Sequence, residues 1–406
     1  MILTFKYRLI PTKRQHKELR EILESQRELY NAAVEERRNC YLKTGKGRSF
    51  IDQSNALSAW RKDDADACKV SINIQRWTLG RLDQAYKGFF TSIKAKHKTT
   101  LPRFRSKTRW RTFGFSEFRG ITLQGSRLKL KGIQSKLRVH LHRPLPRGAS
   151  IRSCSFTKDD KGWFVCFQVA VVARRPREIG AVIGIDLGVT KFAHLSDNTI
   201  IPNPRVAAKA EKDMRRKQRA LSRCKRTSKR RTKVRRTVVA LSKKIANRRN
   251  TWLHLQSKKL IANYDLIAAE NLQVGSLQKS GINSKSICDA SWSKFLGYLA
   301  YKAERAGKHF IKVDPRNTSQ KCSGCGELVP KELGQRVHNC PHCGLVLDRD
   351  HNAAINILNA AVLSRGEHNV AQWGERALGN LGLIAELVPK SCVRPWPNYQ
   401  GLRKIN

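Results

Sequence analysis

Four cysteines near the C-terminal end constrain the fold of this chain more than any other feature. Cys322-Ser-Gly-Cys325 and Cys340-Pro-His-Cys343 are two Cys-x-x-Cys knuckles separated by fourteen residues. Each knuckle bends two thiolates toward one tetrahedral ion, and the intervening loop lets the knuckles face each other. The spacing therefore predicts a four-thiolate Zn²⁺ ribbon over 321–345. All four positions are Cys, so no coordination position is left open, and the expected zinc is a structural staple. Lys321, Lys331 and Arg336 give the ribbon a cationic surface able to touch nucleic acid.

Charge narrows the partner. The 406 residues hold 81 Lys and Arg against 31 Asp and Glu, a net charge of +50. Such an excess repels itself unless a polyanion neutralises it, and each phosphate that is neutralised releases a condensed counterion. Nucleic acid is the expected partner. Residues 208–249 concentrate this charge, with 19 Lys and Arg against Glu211 and Asp213 alone. The N-terminus carries charge inside its apolar run, unlike a signal peptide, and no window of about 18 apolar residues occurs, so no membrane segment is expected. The seven cysteines outside the knuckles are scattered without pairing, which suits a reducing compartment, a cytoplasm or nucleoid.

The pattern along the chain predicts several layers. Residues 2–10 read as a strand. Apolar steps of three and four from Leu19 to Val34 predict a helix, and helical patterns resume from about 52 to 95. From Leu101 to about 174 the chain alternates, with Asp159-Asp-Lys-Gly162 as a hairpin turn. Arg174 to Glu178 reads as a linker. Beyond it, β and α patterns alternate from 181 to 360, the signature of an α/β domain. The tail has Gly, Pro and no clear period, the composition of a disordered segment.

Three acids interrupt apolar runs in that α/β region. Asp186 lies in Ala181-Val-Ile-Gly-Ile-Asp-Leu187, Glu270 ends an apolar run that follows Tyr264, and Asp350 opens a helical run. An acid among buried strand residues is costly unless it is paired or binds metal. Carboxylates are the hard ligands Mg²⁺ prefers, and two such ions can drive phosphodiester hydrolysis. Asp350 alone could instead cap its helix. His140-Leu-His142 has a metal-like spacing in a strand, but beside Arg138 and Arg143 it reads as the polar face of an alternating strand.

Gly184-Ile-Asp-Leu-Gly188, Ala269-Glu-Asn271, the cysteine knuckles and Asp348-Arg-Asp-His-Asn-Ala-Ala354 occur in that order. Together with Tyr7-Arg-Leu-Ile-Pro-Thr12, Pro102-Arg-Phe-Arg-Ser-Lys107 and Asn317-Thr-Ser-Gln-Lys-Cys322, this combination resembles the TnpB family, transposon-encoded RNA-guided nucleases related to miniature type V CRISPR effectors. The resemblance covers about residues 1–360. It implies an RNase H-like RuvC nuclease domain over 179–320 and 346–362, interrupted by the zinc ribbon. It also implies a β wedge domain over 1–10 and 101–178, a helical recognition lobe over 11–100, and a tail over 363–406. Asp186, Glu270 and Asp350 become the catalytic acids, expected to hold two Mg²⁺ ions, and Asp350 fits the motif better than Asp348. Arg103, Arg105, Lys107, Arg230, Arg231, Arg235 and Arg236 become candidate nucleic-acid contacts. The implied partners are a guide RNA from the transposon end and target double-stranded DNA cut beside a short adjacent motif. Two alternatives stay open: a guide-dependent DNA-binding protein that does not cut, and a strand-transferring transposase.

Overall fold

The computed structural model describes residues 1–364 except 147, 173, 177, 280–283 and 333; the expected tail lies outside the described residues. The chain divides into two compact units, Met1–Val172 and Ala173 onward.

The first unit begins with β1 (Ile2–Ile10), whose alternation buries Phe5, Tyr7 and Leu9. Thr12 then starts α1 (Lys13–Thr44) through a capping box with Gln15, and Gly45 ends it in the left-handed region at φ 66°, which glycine adopts without strain. The helical patterns expected over about 52–95 form two helices, α2 (Phe50–Asp63) and α3 (Ile72–Lys94). The break falls at Asp63-Asp64-Ala65-Asp66, where the Asp64 carboxylate accepts the N–H groups of Asp66 and Ala67 and competes with the helix ladder. Six more strands follow: β2 (Thr112–Phe115), β3 (Ile121–Gln124), β4 (Arg127–Leu130), β5 (Leu137–His140), β6 (Ser150–Asp159) and β7 (Gly162–Ala170). They join β1 in one seven-stranded antiparallel sheet, ordered β2-β6-β7-β1-β5-β4-β3, with the β6–β7 hairpin closing at Asp159 and Gly162. One continuous core unites helices and sheet: Leu19, Ile22, Ile74 and Leu82 pack with Phe113, Phe156 and Trp163.

The second unit is built on β8 (Val182–Leu187), β9 (Lys191–Leu195) and β10 (Ile200–Pro202), a meander that the sequence reading does not foresee beyond its first strand. Then come α4 (Val206–Lys209), α5 (Glu211–Ser222), α6 (Lys229–Asn263), β11 (Leu266–Glu270), α7 (Val274–Lys279), α8 (Ser284–Ala290), α9 (Trp292–Ala306) and β12 (His309–Val313). The sheet order is β10-β9-β8-β11-β12, antiparallel through β8 and parallel from β8 to β12. The cysteine ribbon follows with β13 (Val337–Asn339) and β14 (Val346–Asp348), and α10 (Arg349–Ser364) closes the described chain.

Strand alternation sorts the two faces of this sheet. Ile183, Ile185 and Ile267 pack with Leu253 and Leu260 of α6 and Phe295 and Leu299 of α9. Val182, Leu266 and Ala268 take the other face with Ile357 and Ala361 of α10. Among the described residues, no helix is long and apolar enough to cross a membrane.

Candidate metal and catalytic centre

The same alternation carries Asp186 and Glu270 to the α10 face, in step with Val182, Leu266 and Ala268. Parallel pairing sets Ala269 beside Ile185, so the next step brings Glu270 alongside Asp186, although 84 residues separate them in sequence. Both lie at the C-terminal ends of their strands, where open α/β sheets place their ligands. The third acid arrives from α10, whose first turn contains Asp350.

Electrostatics shows that the three acids share one field. Burial pushes the Asp186 carboxyl well above the usual carboxylate range, and the charges of Glu270 and Asp350 push it further. Glu270, 9% exposed, is also raised by burial, partly offset by a 2.5 Å hydrogen bond donated by the Thr318 hydroxyl. Asp350 is flanked by Arg349 at 3.3 Å and Arg336 at 4.0 Å. A buried carboxyl raised by two neighbouring acids is what a divalent cation relieves, so this donor set fits Mg²⁺.

Asp348 takes the capping role that the sequence reading leaves open for Asp350. Its Oδ1 accepts the N–H groups of Asp350 and His351 at 2.9 and 3.3 Å, and its Oδ2 binds Lys191 Nζ at 2.9 Å. Asp350 is thereby relieved of capping.

The cysteine cluster is built by two copies of one turn. Gly326 N–H donates to the Cys322 carbonyl and Gly344 N–H to the Cys340 carbonyl, each at 2.9 Å. Both glycines adopt positive φ, 81° and 75°, where a side chain would be strained. All four Sγ atoms lie within 4.8 Å of one another, with Cys322–Cys343 and Cys325–Cys340 at 3.6 Å. Tetrahedral zinc with Zn–S near 2.3 Å needs sulfurs about 3.8 Å apart, so the cage fits that ion. Lys331 is turned inward, donating to the Ser319 carbonyl at 2.7 Å and to His338 Nδ1, and is not the free surface cation expected from sequence. Purified protein is expected to carry about one zinc, measured by atomic emission. A double Cys322→Ser, Cys325→Ser variant should lose it and melt lower, since structural zinc contributes ~10 kcal/mol in small sites; full occupancy in that variant would refute the assignment.

The expected basic block is a helical hairpin, because the chain turns between α5 and α6. Arg231 closes the turn by donating to the Leu221 and Cys224 carbonyls, so its guanidinium is committed internally. Arg230, Arg235 and Arg236 are exposed on α6. A cleft of about 750 Å³ beside α5 is lined by Lys212, Arg215, Arg216, Arg219 and Arg223. In the first unit Arg103 and Arg105 are exposed, while Lys107 is exposed and pairs with Glu24 at 3.1 Å. His140 lies opposite Arg8 on the antiparallel sheet, with its ring 6.2 Å from that of His142. Among the described residues, the four cysteines are the one group of three or more His, Cys, Asp or Glu whose ligand atoms all lie within 4.8 Å of one another.

Sequence and fold comparisons show what the chain is similar to. Residues 292–357 match the "Cas12f1-like, TNB domain" model, 164–281 a model described as "Probable transposase", and 1–46 a "Helix-turn-helix domain". A "Putative RNA-guided DNA endonuclease" of Streptomyces pristinaespiralis is 31% identical over 363 residues, covering 88% of this chain and 89% of the relative. The chain belongs to the TnpB family. A second relative, "Putative RNA-guided DNA endonuclease InsQ" of Escherichia coli K12, is 29% identical across 89% of this chain and 94% of its own. The Cas12f1 chain in a cryo-EM complex with sgRNA and target DNA shares the fold at TM-score 0.61 and 15% identity, over 86% of this chain and 84% of that one. In this TnpB family member the helix-turn-helix match falls on one strand and one 32-residue helix.

The sequence reading passes over Thr318, Asn352, Asn356 and Gly184 as contributors to the site. Gly184, Thr318 and Asn352 lie within motifs that carry the family resemblance, but nothing in a motif states which atoms lie opposite them.

Proposed function

We propose that this chain is a transposon-encoded, RNA-guided DNA endonuclease that hydrolyses phosphodiester bonds at Asp186, Glu270 and Asp350. The observation carrying this reading is the raised carboxyl of Asp186, lifted by burial and by both other acids, at the C-terminal edge of the β8–β11 pair. The sheet order, a three-strand meander followed by two parallel strands, supports an RNase H-like RuvC assignment for 179–320 and 346–362. The names of the relatives point the same way.

Asp186 lies in the field of both other carboxylates, so the three together would hold the Mg²⁺ ions. Mg²⁺ bound there supplies an activated water and charge stabilisation for the leaving 3′ oxygen, which yields 5′-phosphate ends. Thr318 holds one oxygen of Glu270, and Asp348 fixes the α10 start that presents Asp350.

The first unit would grip the guide RNA, with its sheet as the wedge and α1–α3 as the recognition lobe, and Arg103, Arg105 and Lys107 on the surface. In the second unit Arg230, Arg235 and Arg236 of α6 would meet phosphates. Replacing these three with alanine should flatten the slope of log affinity against log salt by about 2–3, near 0.9 per lost phosphate contact on duplex DNA. An unchanged slope would mean they do not meet phosphates. A guide-dependent protein that binds without cutting is disfavoured because all three acids stand. A strand-transferring transposase is distinguished by its products, joined strands instead of free 5′-phosphate ends.

A further inference from the structure

Glu270 is the last residue of β11, and its carboxylate is held from outside the sheet. The segment from Pro315 to Lys321, between β12 and the first knuckle, folds into a tight turn in which Gln320 and Lys321 N–H both donate to the Asn317 carbonyl. Asn317 itself sits at φ 60°. This turn places the Thr318 hydroxyl 2.5 Å from Glu270 Oε1 and 3.2 Å from the Pro315 carbonyl, with Thr318 8% exposed.

The turn is fastened on every side. Asn356 of α10 donates to the Thr318 carbonyl at 2.8 Å and to the Lys321 carbonyl at 2.7 Å. Asn352, one turn earlier and wholly buried, donates to the Lys321 carbonyl at 2.7 Å and accepts Ser323 N–H at 2.9 Å. Lys331 of the ribbon reaches the Ser319 carbonyl. Cys322 then begins the thiolate cage. The helix that carries Asp350 and the knuckle that carries the thiolates thus clamp the same seven-residue stretch, Pro315 to Lys321, and the stretch presents one hydroxyl to Glu270.

We propose that Thr318 is a positioning residue for the metal-binding carboxylate of Glu270, and that the first cysteine knuckle, with Asn352 and Asn356, serves to hold it there. This rests on the nuclease reading above. The physical reason is preorganisation: a carboxylate that accepts one fixed hydrogen bond presents its other lone pairs in a fixed direction. Loss of such outer partners typically lowers metal affinity about 10–100-fold. A buried hydrogen bond to a charged group also resists rearrangement more than a neutral one.

The test uses the full zinc-loaded protein and Mn²⁺ alone as probe, with binding followed by electron paramagnetic resonance and stability by thermal melting. Asp186→Ala should abolish the tight Mn²⁺ binding and so identifies the site. Thr318→Val, which keeps the shape and removes the hydroxyl, should weaken Mn²⁺ about tenfold or more. It should also raise the Mn²⁺ concentration needed for half-maximal guided cleavage, with a melting temperature within about 2 °C of wild type. Thr318→Ser, which keeps the hydroxyl, should restore affinity to within about twofold. If the valine variant melts well below wild type, Thr318→Ala is read against Thr318→Ser in its place. Wild-type Mn²⁺ affinity without the hydroxyl, or equal weakening by the serine variant, overturns the proposal. Failure of the nuclease reading looks different: wild-type protein would bind Mn²⁺ at the acids and still leave guided DNA uncut, while the threonine series would remain readable.

Discussion

Alanine at Asp186, Glu270 or Asp350 is expected to lower guided DNA cleavage by at least about a thousandfold, roughly 4 kcal/mol of transition-state stabilisation, while alanine at Asp348 leaves cleavage within about tenfold of wild type. The contrast between positions 348 and 350 is the informative part. Both are acids at the start of α10, two residues apart. Asp348 spends its carboxylate on the helix N-terminus and Lys191, so its loss should cost about 1 kcal/mol of cap and lower the melting temperature slightly. Asp350 acts on the Asp186 carboxyl and is free of the cap. Guided DNA binding should survive the Asp186, Glu270 and Asp350 substitutions, measured by gel shift on the same target, because the grip comes from cations elsewhere. Wild-type cutting by Asp350→Ala together with a dead Asp348→Ala would reverse the assignment.

A methyl group at Gly184 should be nearly as damaging, and by packing alone. Gly184 of β8 lies where α10 crosses the sheet: a Cβ there would collide with the Ala354 carbonyl and come within 2.9 Å of Leu358 Cβ and 3.0 Å of Leu358 N. Two of these three neighbours are backbone, so rotamer changes cannot relieve the clash. Gly184→Ala is therefore expected to cost roughly 3 kcal/mol, at the upper end for overpacking, and to lower the melting temperature of the second unit by about 5–10 °C. Protein that still folds should cut far more slowly, since α10 carries Asp350 and the displacement opens the gap to Asp186. Calorimetry with a parallel cleavage assay checks both; an unchanged melting temperature would show that α10 does not lie against β8.

Much of this layout is legible in the residues because it is local. The alternation of Phe5, Tyr7 and Leu9 identifies β1, and the knuckle spacing identifies the cage before any coordinates. The apolar steps of Trp292, Leu296, Leu299 and Ala303 identify α9. What escapes is set by distant partners or by patterns without contrast. The β9–β10 meander is short and turns at Asp197-Asn198, where Asn198 adopts φ 65°. In the block 208–249, cations on every side mask the turn between α5 and α6, which Arg231 closes by reaching the Leu221 carbonyl ten residues back. The adjacency of Asp186 and Glu270 depends on parallel register across a long crossover, which no local period encodes. The hydroxyl of Thr318 and the missing Cβ of Gly184 matter only through what lies opposite them.

RNA-guided hydrolysis at one carboxylate site is decided by the products of a reaction with the co-purified RNA. Protein expressed from its native locus is purified, its bound RNA is sequenced, and the complex is given Mg²⁺ with a plasmid carrying a target complementary to that RNA. Wild type should give a linear product with 5′-phosphate ends, Asp186→Ala none, and neither protein should cut a plasmid lacking the complementary target. Cutting that ignores the RNA sequence, joined strands as the product, or full cutting by Asp186→Ala would contradict it.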